Sequence, residues 1–96
     1  MNIYVDIDNT ICKTNGMDYA GASPIVSNIK KINKLYKEGH KINYWTARGT
    51  VTKKDFYNLT LDQLKKWGCN FHSLSVGEKP AYDLLICDKT KRIEEI

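Results

Sequence analysis

Apolar residues occur along the chain at two alternating spacings, which predicts strands separated by helices. The segment from Ile3 to Val5 runs without a polar break up to Asp6, as expected of a strand buried on both faces of a parallel sheet. Residues 42–46, which include two aromatic residues that favour strands, are predicted as the second strand. Residues 71–76 and 84–87 are predicted as the third and fourth.

Between the first two strands, isoleucines recur at helical spacing and predict a helix over residues 24–38. Ser23 is expected to cap its N-terminus, Pro24 to occupy the first helical position, and Gly39 to end it. The preceding residues, 12–21, contain Gly, Asn and Asp without any period and are predicted as a loop over the end of the sheet.

A second helical pattern covers residues 52–67 and ends at Gly68. A capping-box pattern at Thr60 indicates that a fresh helix begins inside this segment. Its apolar face is predicted to consist of Phe56, Tyr57, Leu61, Leu64 and Trp67. A short closing helix is predicted near residues 90–96.

This order of elements predicts a single α/β domain over residues 1–96, with a small doubly wound parallel sheet of about four strands, flanking helices and no cap domain. The connection from Val76 to Leu84 is short for a parallel crossover, which usually takes a dozen or more residues. An antiparallel third strand therefore remains an alternative, and it would make the position of Lys79 doubtful.

Composition narrows the class of protein. The 96 residues are 42% hydrophobic and 27% charged, as in soluble globular proteins, with no apolar run long enough for a membrane span and no secretory signal pattern. A cytoplasmic location is expected. The cysteines are three in number and lack a Cys-x-x-Cys spacing, which favours reduced thiols over a zinc site. The net charge of +4 is explained by solvated helix faces or by attraction to an anionic substrate or nucleic acid.

Asp6 and Asp8 stand two residues apart at the carboxyl end of the first strand, with side chains expected to point the same way. Two like charges in that position repel each other and are expensive to desolvate, so a cation is expected to neutralise them. A solvated strand end is the alternative interpretation, because aspartate is common in turns.

Residues that follow the carboxyl ends of adjacent parallel strands converge on one crevice. On this assignment the crevice receives Asp6, Asp8, Thr46, Ala47, Arg48, Lys79 and Asp88. Carboxylates are suitable ligands for Mg²⁺, and this set of residues is suitable for phosphoryl transfer. In that reaction one carboxylate attacks phosphorus, and its neighbour, free to carry a proton, acts as acid and base. A lysine and a hydroxyl would hold the charge on the phosphoryl oxygens.

These residues resemble the four ordered motifs of the haloacid dehalogenase (HAD) superfamily of phosphatases. The motifs are Asp6-Ile7-Asp8-Asn9-Thr10, Thr46 after the second strand, Lys79 beside Pro80, and Asp88 after Leu84-Leu85-Ile86. The stretches from Trp45 to Gly49 and from Lys79 to Lys89 resemble more narrowly its short, capless members associated with capsular or other surface polysaccharide synthesis.

The resemblance implies roles for individual residues. Asp6 would be the nucleophile, Asp8 the general acid and base, and Thr46 and Lys79 the groups that hold the phosphoryl oxygens. Mg²⁺ would be bound by the Asp6 carboxylate, the Asp8 main-chain carbonyl and Asp88. The chain departs from the group at Cys87, where a second acid commonly precedes the metal-binding aspartate, and weaker metal binding is one expected consequence.

Arg48 has two interpretations. It clamps the substrate together with Ala47, or it pairs on the surface with Asp83 or Asp55.

The leading functional hypothesis is a Mg²⁺-dependent phosphatase of a phosphomonoester, with a sugar phosphate as the expected substrate. A nucleotide or polynucleotide end is the alternative substrate, supported by the basic surface. Because the site would be open, either a large substrate or a homo-oligomer is expected to exclude water from it. A catalytically degenerate binding module and, less well supported, a phospho-accepting receiver domain are the other hypotheses.

Overall fold

Apart from a small two-stranded hairpin between the first strand and the first long helix, the secondary-structure elements follow in the predicted order. The computed structural model describes residues 2–49 and 55–77, and the backbone of residues 84–86. Its elements are β1 (Asn2–Asp6), β2 (Cys12–Lys13), a 3-10 turn (Tyr19–Gly21), β3 (Ser23–Pro24), α1 (Val26–Lys37), β4 (Lys41–Thr46), α2 (Tyr57–Lys66), β5 (Ser73–Val76) and β6 (Leu84–Ile86). The predicted α/β fold class is therefore confirmed.

The main sheet is parallel, and β1 lies inside it. Strand β1 pairs in parallel with β4 on one side and with the short strand β6 on the other, while β5 pairs in parallel with β4. The antiparallel alternative for the third strand is therefore wrong. The chain proceeds outward from β1 through β4 to β5 and then returns to the opposite side of β1, so the strand order reverses at β1. In open α/β sheets such a reversal forms a crevice beyond the carboxyl ends of the strands.

The core lies on one face of the sheet. Ile3 and Val5 of β1 are in register with Ile42 and Tyr44 of β4, and all four are buried. The two helices supply Ile29, Ile32 and Leu64 to the same buried cluster, so α1 and α2 both cover this face. The closing helix predicted near residues 90–96, which a doubly wound arrangement would use, lies outside the described residues. In the part of the chain that the structure describes, no helix has the length and apolar character of a membrane span.

The predicted start of the first helix is wrong by two residues. Ser23 and Pro24 are extended and pair with Cys12 and Lys13 in a two-stranded antiparallel sheet, and α1 begins only at Val26. Proline has a φ compatible with extended structure and has no N–H to leave unpaired, so it suits this short edge strand. Residues 14–18 lie outside helices and strands, as predicted for a loop, but the pairing of Cys12 and Lys13 with Pro24 and Ser23 closes the segment into a hairpin that contains the 3-10 turn.

The buried face of α2 also differs from the prediction. Thr60 lies in the middle of the helix and is fully buried, so the capping-box interpretation is wrong. Thr60, Gln63 and Leu64 form the buried face, while Tyr57, predicted to be apolar core, is 42% exposed. The helix ends before Gly68, whose φ of 73° is readily adopted only by glycine, as predicted.

Candidate active site

A tight turn after β1 places Asp8 beyond the carboxyl end of the strand. The carbonyl of Ile7 accepts hydrogen bonds from the N–H groups of Thr10 and Ile11 at 3.2 and 3.1 Å. Asn9 has a φ of 64°, a conformation that asparagine tolerates better than most residues. Its N–H donates to the carbonyl of Cys12 at 2.8 Å, which closes the turn. The local sequence thus holds Asp8 over the strand ends.

Asp8 forms a two-point ion pair with Arg48. The Nη2 atom of Arg48 lies 2.8 Å from Oδ1 of Asp8, and Nε lies 3.1 Å from Oδ2. The Arg48 side chain is completely buried, and that of Asp8 is 21% exposed. The predicted surface pairing of Arg48 is therefore wrong. Asp55, one of its two predicted partners, instead accepts a hydrogen bond from the N–H of Tyr57 at 2.9 Å, and Asp83 lies outside the described residues.

The remaining donors of Arg48 also have acceptors. Nη1 donates to Oγ1 of Thr60 at 3.2 Å and to Oε1 of Gln63 at 2.6 Å, and Nη2 makes a long contact of 3.9 Å with Sγ of Cys12. The guanidinium carbon lies 4.9 Å from the ring centroid of Tyr19. A buried arginine is stable only when its charge and its donors are compensated. The short hydrogen bonds of the guanidinium are all made within the protein, and the contact of Arg48 with substrate stays a prediction.

Two threonines complete the surroundings of the Asp8 carboxylate. Thr14 donates to Oδ1 at 2.8 Å, and Thr46, at the end of β4, donates to Oδ2 at 3.0 Å. Burial by itself raises the pKa of Asp8. The opposing effects are larger together and hold that pKa below its ordinary value of 3.8. They are the hydrogen bonds from Arg48, Thr14 and Thr46 and the positive charge of Arg48. The surroundings of Asp8 therefore favour its ionised form, and its role as acid and base stays a prediction.

The other predicted site residues fall into three groups. Thr46 is buried and also accepts a hydrogen bond from the N–H of Arg48 at 3.2 Å, whereas Ala47 between them is exposed. Asp6 is half-buried at the last position of β1, in register with Trp45 of β4. Lys79 and Asp88 lie outside the described residues. The structure therefore brings Asp8, Thr46 and Arg48 into direct contact.

Cys12 lies beneath this cluster as a buried thiol. Its Sγ is 3.6 Å from the carbonyl of Ile7 and 3.7 Å from Oδ1 of Asp8. Burial is the main reason that the pKa of Cys12 is raised. Cys12 and Cys69 are both free, as predicted for them, and Cys87 lies outside the described residues. A protonated, buried thiol has little reactivity.

The described residues contain only part of the predicted magnesium site. No group of three or more His, Cys, Asp or Glu side chains able to hold a metal occurs within residues 2–49 and 55–77. Both carboxylate oxygens of Asp8 receive hydrogen bonds. The Asp8 side chain is thus engaged with Arg48, Thr14 and Thr46, and the predicted contact of the Asp8 main-chain carbonyl with Mg²⁺ stays a prediction.

Four residues around Arg48 and Asp8 were not predicted as site residues: Thr14, Tyr19, Thr60 and Gln63. Thr60 and Gln63 are three residues apart on α2 and adjoin Leu64, so they share its buried face. The helix face that carries Leu64 is predicted from the sequence to be buried. Because buried polar groups require hydrogen-bond partners, the position of Thr60 and Gln63 on that face could have indicated a polar partner nearby. Thr14 and Tyr19 carried no such signal, since both lie in a segment without a period.

Comparisons with known proteins support the fold only. No family model matches the chain, and no curated protein matches it. A crystal structure of a structural-genomics target from Vibrio cholerae is similar to this chain, with a TM-score of 0.78 and 23% identical residues, over 98% of this chain and 85% of the other. At that level of identity the similarity shows a shared architecture, and the description of that structure states no activity.

Proposed function

We propose that this protein is a Mg²⁺-dependent phosphomonoester hydrolase of the HAD type that works through an aspartyl-phosphate on Asp6. The observation that carries the proposal is the contact of Thr46 and Arg48, from the end of β4, with the Asp8 carboxylate beyond the end of β1. These groups meet where the strand order reverses, which is the usual ligand position in open α/β sheets. Asp6 precedes them by two residues at the same strand end.

In the proposed first step, an oxygen of Asp6 attacks phosphorus, and the bond between phosphorus and the substrate oxygen breaks. The departing oxygen requires a proton, which Asp8 supplies in its protonated form. An incoming phosphate raises the pKa of Asp8 by like-charge repulsion, against the lowering effect of Arg48. In the second step, the Asp8 carboxylate accepts a proton from the water that attacks the aspartyl-phosphate, and this releases phosphate and regenerates Asp6.

Mg²⁺, when bound, would neutralise charge on the phosphoryl oxygens. The residues proposed to hold it are Asp6 through its carboxylate, Asp8 through its main-chain carbonyl, and Asp88. Lys79 and Thr46 are the proposed phosphoryl-binding side chains, with Ala47 adjacent to the substrate. Since the Thr46 hydroxyl donates to Asp8 in this structure, its hydrogen must turn toward the substrate when phosphate binds. We assign Arg48 to Asp8 and not to the substrate.

A sugar phosphate is the proposed substrate. The segment between β1 and α1 folds as a small hairpin with one 3-10 turn, which is too small to close the site as a cap domain. A bulky substrate or a second copy of the chain would then exclude water. The nucleic-acid alternative receives no support from four of the lysines. Lys34, Lys37, Lys65 and Lys66 lie in the last turns of the helices, which in a parallel fold face the amino-terminal edge of the sheet, away from Asp8.

The proposal is tested by a phosphate-release screen against sugar phosphates, nucleotides and phosphorylated oligonucleotides, each with Mg²⁺ and with EDTA. We expect turnover of at least one sugar phosphate that requires Mg²⁺ and is lost in Asp6→Asn. Asp62→Asn, which removes an exposed carboxylate of α2, is the matched control and should retain activity. Turnover that is equal in Asp6→Asn and the wild type would refute the proposal.

A phosphosugar-binding module without catalysis is the second candidate. The specific observation that favours it is the Arg48 ion pair, because it stabilises Asp8 in the form that cannot donate a proton. Calorimetric titration with the same ligands separates the two candidates. Binding of a sugar phosphate without release of phosphate over hours would support the module.

A further inference from the structure

Gln63 is a buried amide whose two ends are both engaged. The residue is 8% exposed and lies on the inner face of α2. Its Oε1 accepts a hydrogen bond from Nη1 of Arg48, and its Nε2 donates to the carbonyl of Tyr19, both at 2.6 Å. Arginine can only donate and a carbonyl can only accept, so these partners fix the orientation of the amide. An apolar residue would fill this position without the desolvation that an amide requires.

The contact with Gln63 is one of three that hold the Arg48 guanidinium, beside those with Asp8 and Thr60. The donors of arginine lie in one rigid plane. The two hydrogen bonds to Asp8 therefore require the guanidinium to be coplanar with the carboxylate. On the far side of the fork, Nη1 has two acceptors, and the bond to Gln63 is shorter than the 3.2 Å bond to Thr60. Without Gln63, the guanidinium would be held from α2 by Thr60 alone.

Gln63 also holds the segment that covers Arg48. The 3-10 turn that begins at Tyr19 is tied to α2 through the Tyr19 carbonyl. The Tyr19 ring lies over Arg48 and packs edge-on against Phe56, with 5.0 Å between the ring centroids. This cover shields the Arg48 side of the ion pair from water, and a lower local dielectric strengthens the pair.

From these contacts we infer that Gln63 is a positioning residue: it fixes the Arg48 guanidinium, and through it the carboxylate of Asp8, while it ties the Tyr19 turn over both. The catalytic part of this inference rests on the proposed function. The geometric part, which concerns Arg48, does not.

The variant that tests the inference is Gln63→Met, which keeps the length of the side chain and removes both amide contacts. We expect kcat to fall about 10- to 100-fold with KM within about two-fold, because small misplacements of catalytic groups are expensive while ground-state binding is kept. Leu64→Val is the matched control on the same buried face. It should lower thermal stability and leave kcat per folded molecule unchanged.

A double-mutant cycle shows whether Gln63 acts through Arg48. In an Arg48→Lys background, Gln63→Met should cause little further loss of kcat, since the fork that it orients is absent. Multiplicative losses in the double variant would overturn the inference, as would full kcat in a folded Gln63→Met protein.

A second measurement does not depend on turnover. In ¹⁵N-edited NMR of the arginine side chains, a guanidinium held at both ends rotates slowly and gives separate Nη signals. We expect separate Arg48 signals in the wild type and in Leu64→Val, and merged signals in Gln63→Met. Separate signals in Gln63→Met would overturn the inference. If these expectations are met but no phosphate is released by the wild type, the proposed function fails and the positioning of Arg48 stands.

Discussion

Arg48 and Asp8, forty positions apart in the sequence, form an ion pair in which Nη2 lies 2.8 Å and Nε 3.1 Å from the two carboxylate oxygens. The arginine side chain has no exposed surface and the aspartate has 21%. A pair of this kind differs from a surface salt bridge, since removal of one partner leaves the other charged and poorly hydrated.

Replacement of Arg48 by methionine should lower the free energy of unfolding by about 3 kcal/mol, near the lower end of the range for breaking a buried pair, because Asp8 retains some contact with water. Urea denaturation measures the change. The matched control is Lys37→Met, which removes an exposed positive charge from α1 and should change stability by less than about 0.5 kcal/mol. A loss in Arg48→Met no larger than in the control would contradict the buried pairing.

Stability should depend on pH through Asp8. Its pKa in the folded protein lies below the ordinary value of 3.8, so folding stabilises the ionised form. The resulting contribution is complete at pH values well above 3.8 and decreases as the pH falls through the lower, folded-state pKa. Denaturation in urea at a series of pH values should therefore show a smaller acid-induced loss of stability in Asp8→Asn than in the wild type. Equal slopes in the two proteins would show that Asp8 has no shifted pKa.

Replacement of Asp8 by asparagine should slow turnover of the best phosphomonoester by about 10² to 10⁴, the usual contribution of a positioned acid and base. Substrate binding should be largely kept, because Asp6, Thr46 and Lys79 are unchanged. Steady-state kinetics with the substrate found in the screen provides the measurement. Wild-type kcat in this variant would remove Asp8 from the mechanism.

Asn33 should contribute to stability by joining α1 to the end of α2. Its Nδ2 donates to the carbonyl of Gly68 at 3.0 Å, and its Oδ1 accepts from the N–H of Asn70 at 2.9 Å. Asn33→Ala should lower the free energy of unfolding by about 1 to 2 kcal/mol through loss of these bonds. Asn58→Ala, on the exposed side of α2, corrects for the higher helix propensity of alanine. Identical effects of the two substitutions would argue against the joining role.

The arrangement of β1, α1, β4, α2 and β5 could be predicted from the sequence because each element carries its own period and its own stop signal. Gly39 and Gly68, with φ of 99° and 73°, end the two helices as predicted. Pro24 was wrongly predicted as the first residue of the helix because Ser-Pro is a local helix-start signal. In the structure Pro24 pairs instead with Cys12, which is twelve residues away in the sequence. Local sequence propensity does not indicate which distant residue a short strand will pair with, so this hairpin could not be predicted.

The candidate site was only partly accessible from sequence. Strand ends identified Asp8 and Thr46, since the carboxyl ends of parallel strands lie at one edge of the sheet. The burial of the Arg48 side chain could not be predicted in the same way, because it depends on hydrogen-bond acceptors from α2 and from the hairpin. An arginine after a strand is usually solvated, and only Thr60 and Gln63 on the buried helix face indicate otherwise.

The most direct test of the central claim is acid-quench trapping of a phosphorylated enzyme, followed by mass spectrometry of the peptide that contains Asp6. During turnover of a phosphomonoester with Mg²⁺, we predict phosphate on Asp6 in the wild type and none in Asp6→Asn. Turnover without phosphate on Asp6, or with unchanged rates in Asp6→Asn, would contradict the aspartyl-phosphate account.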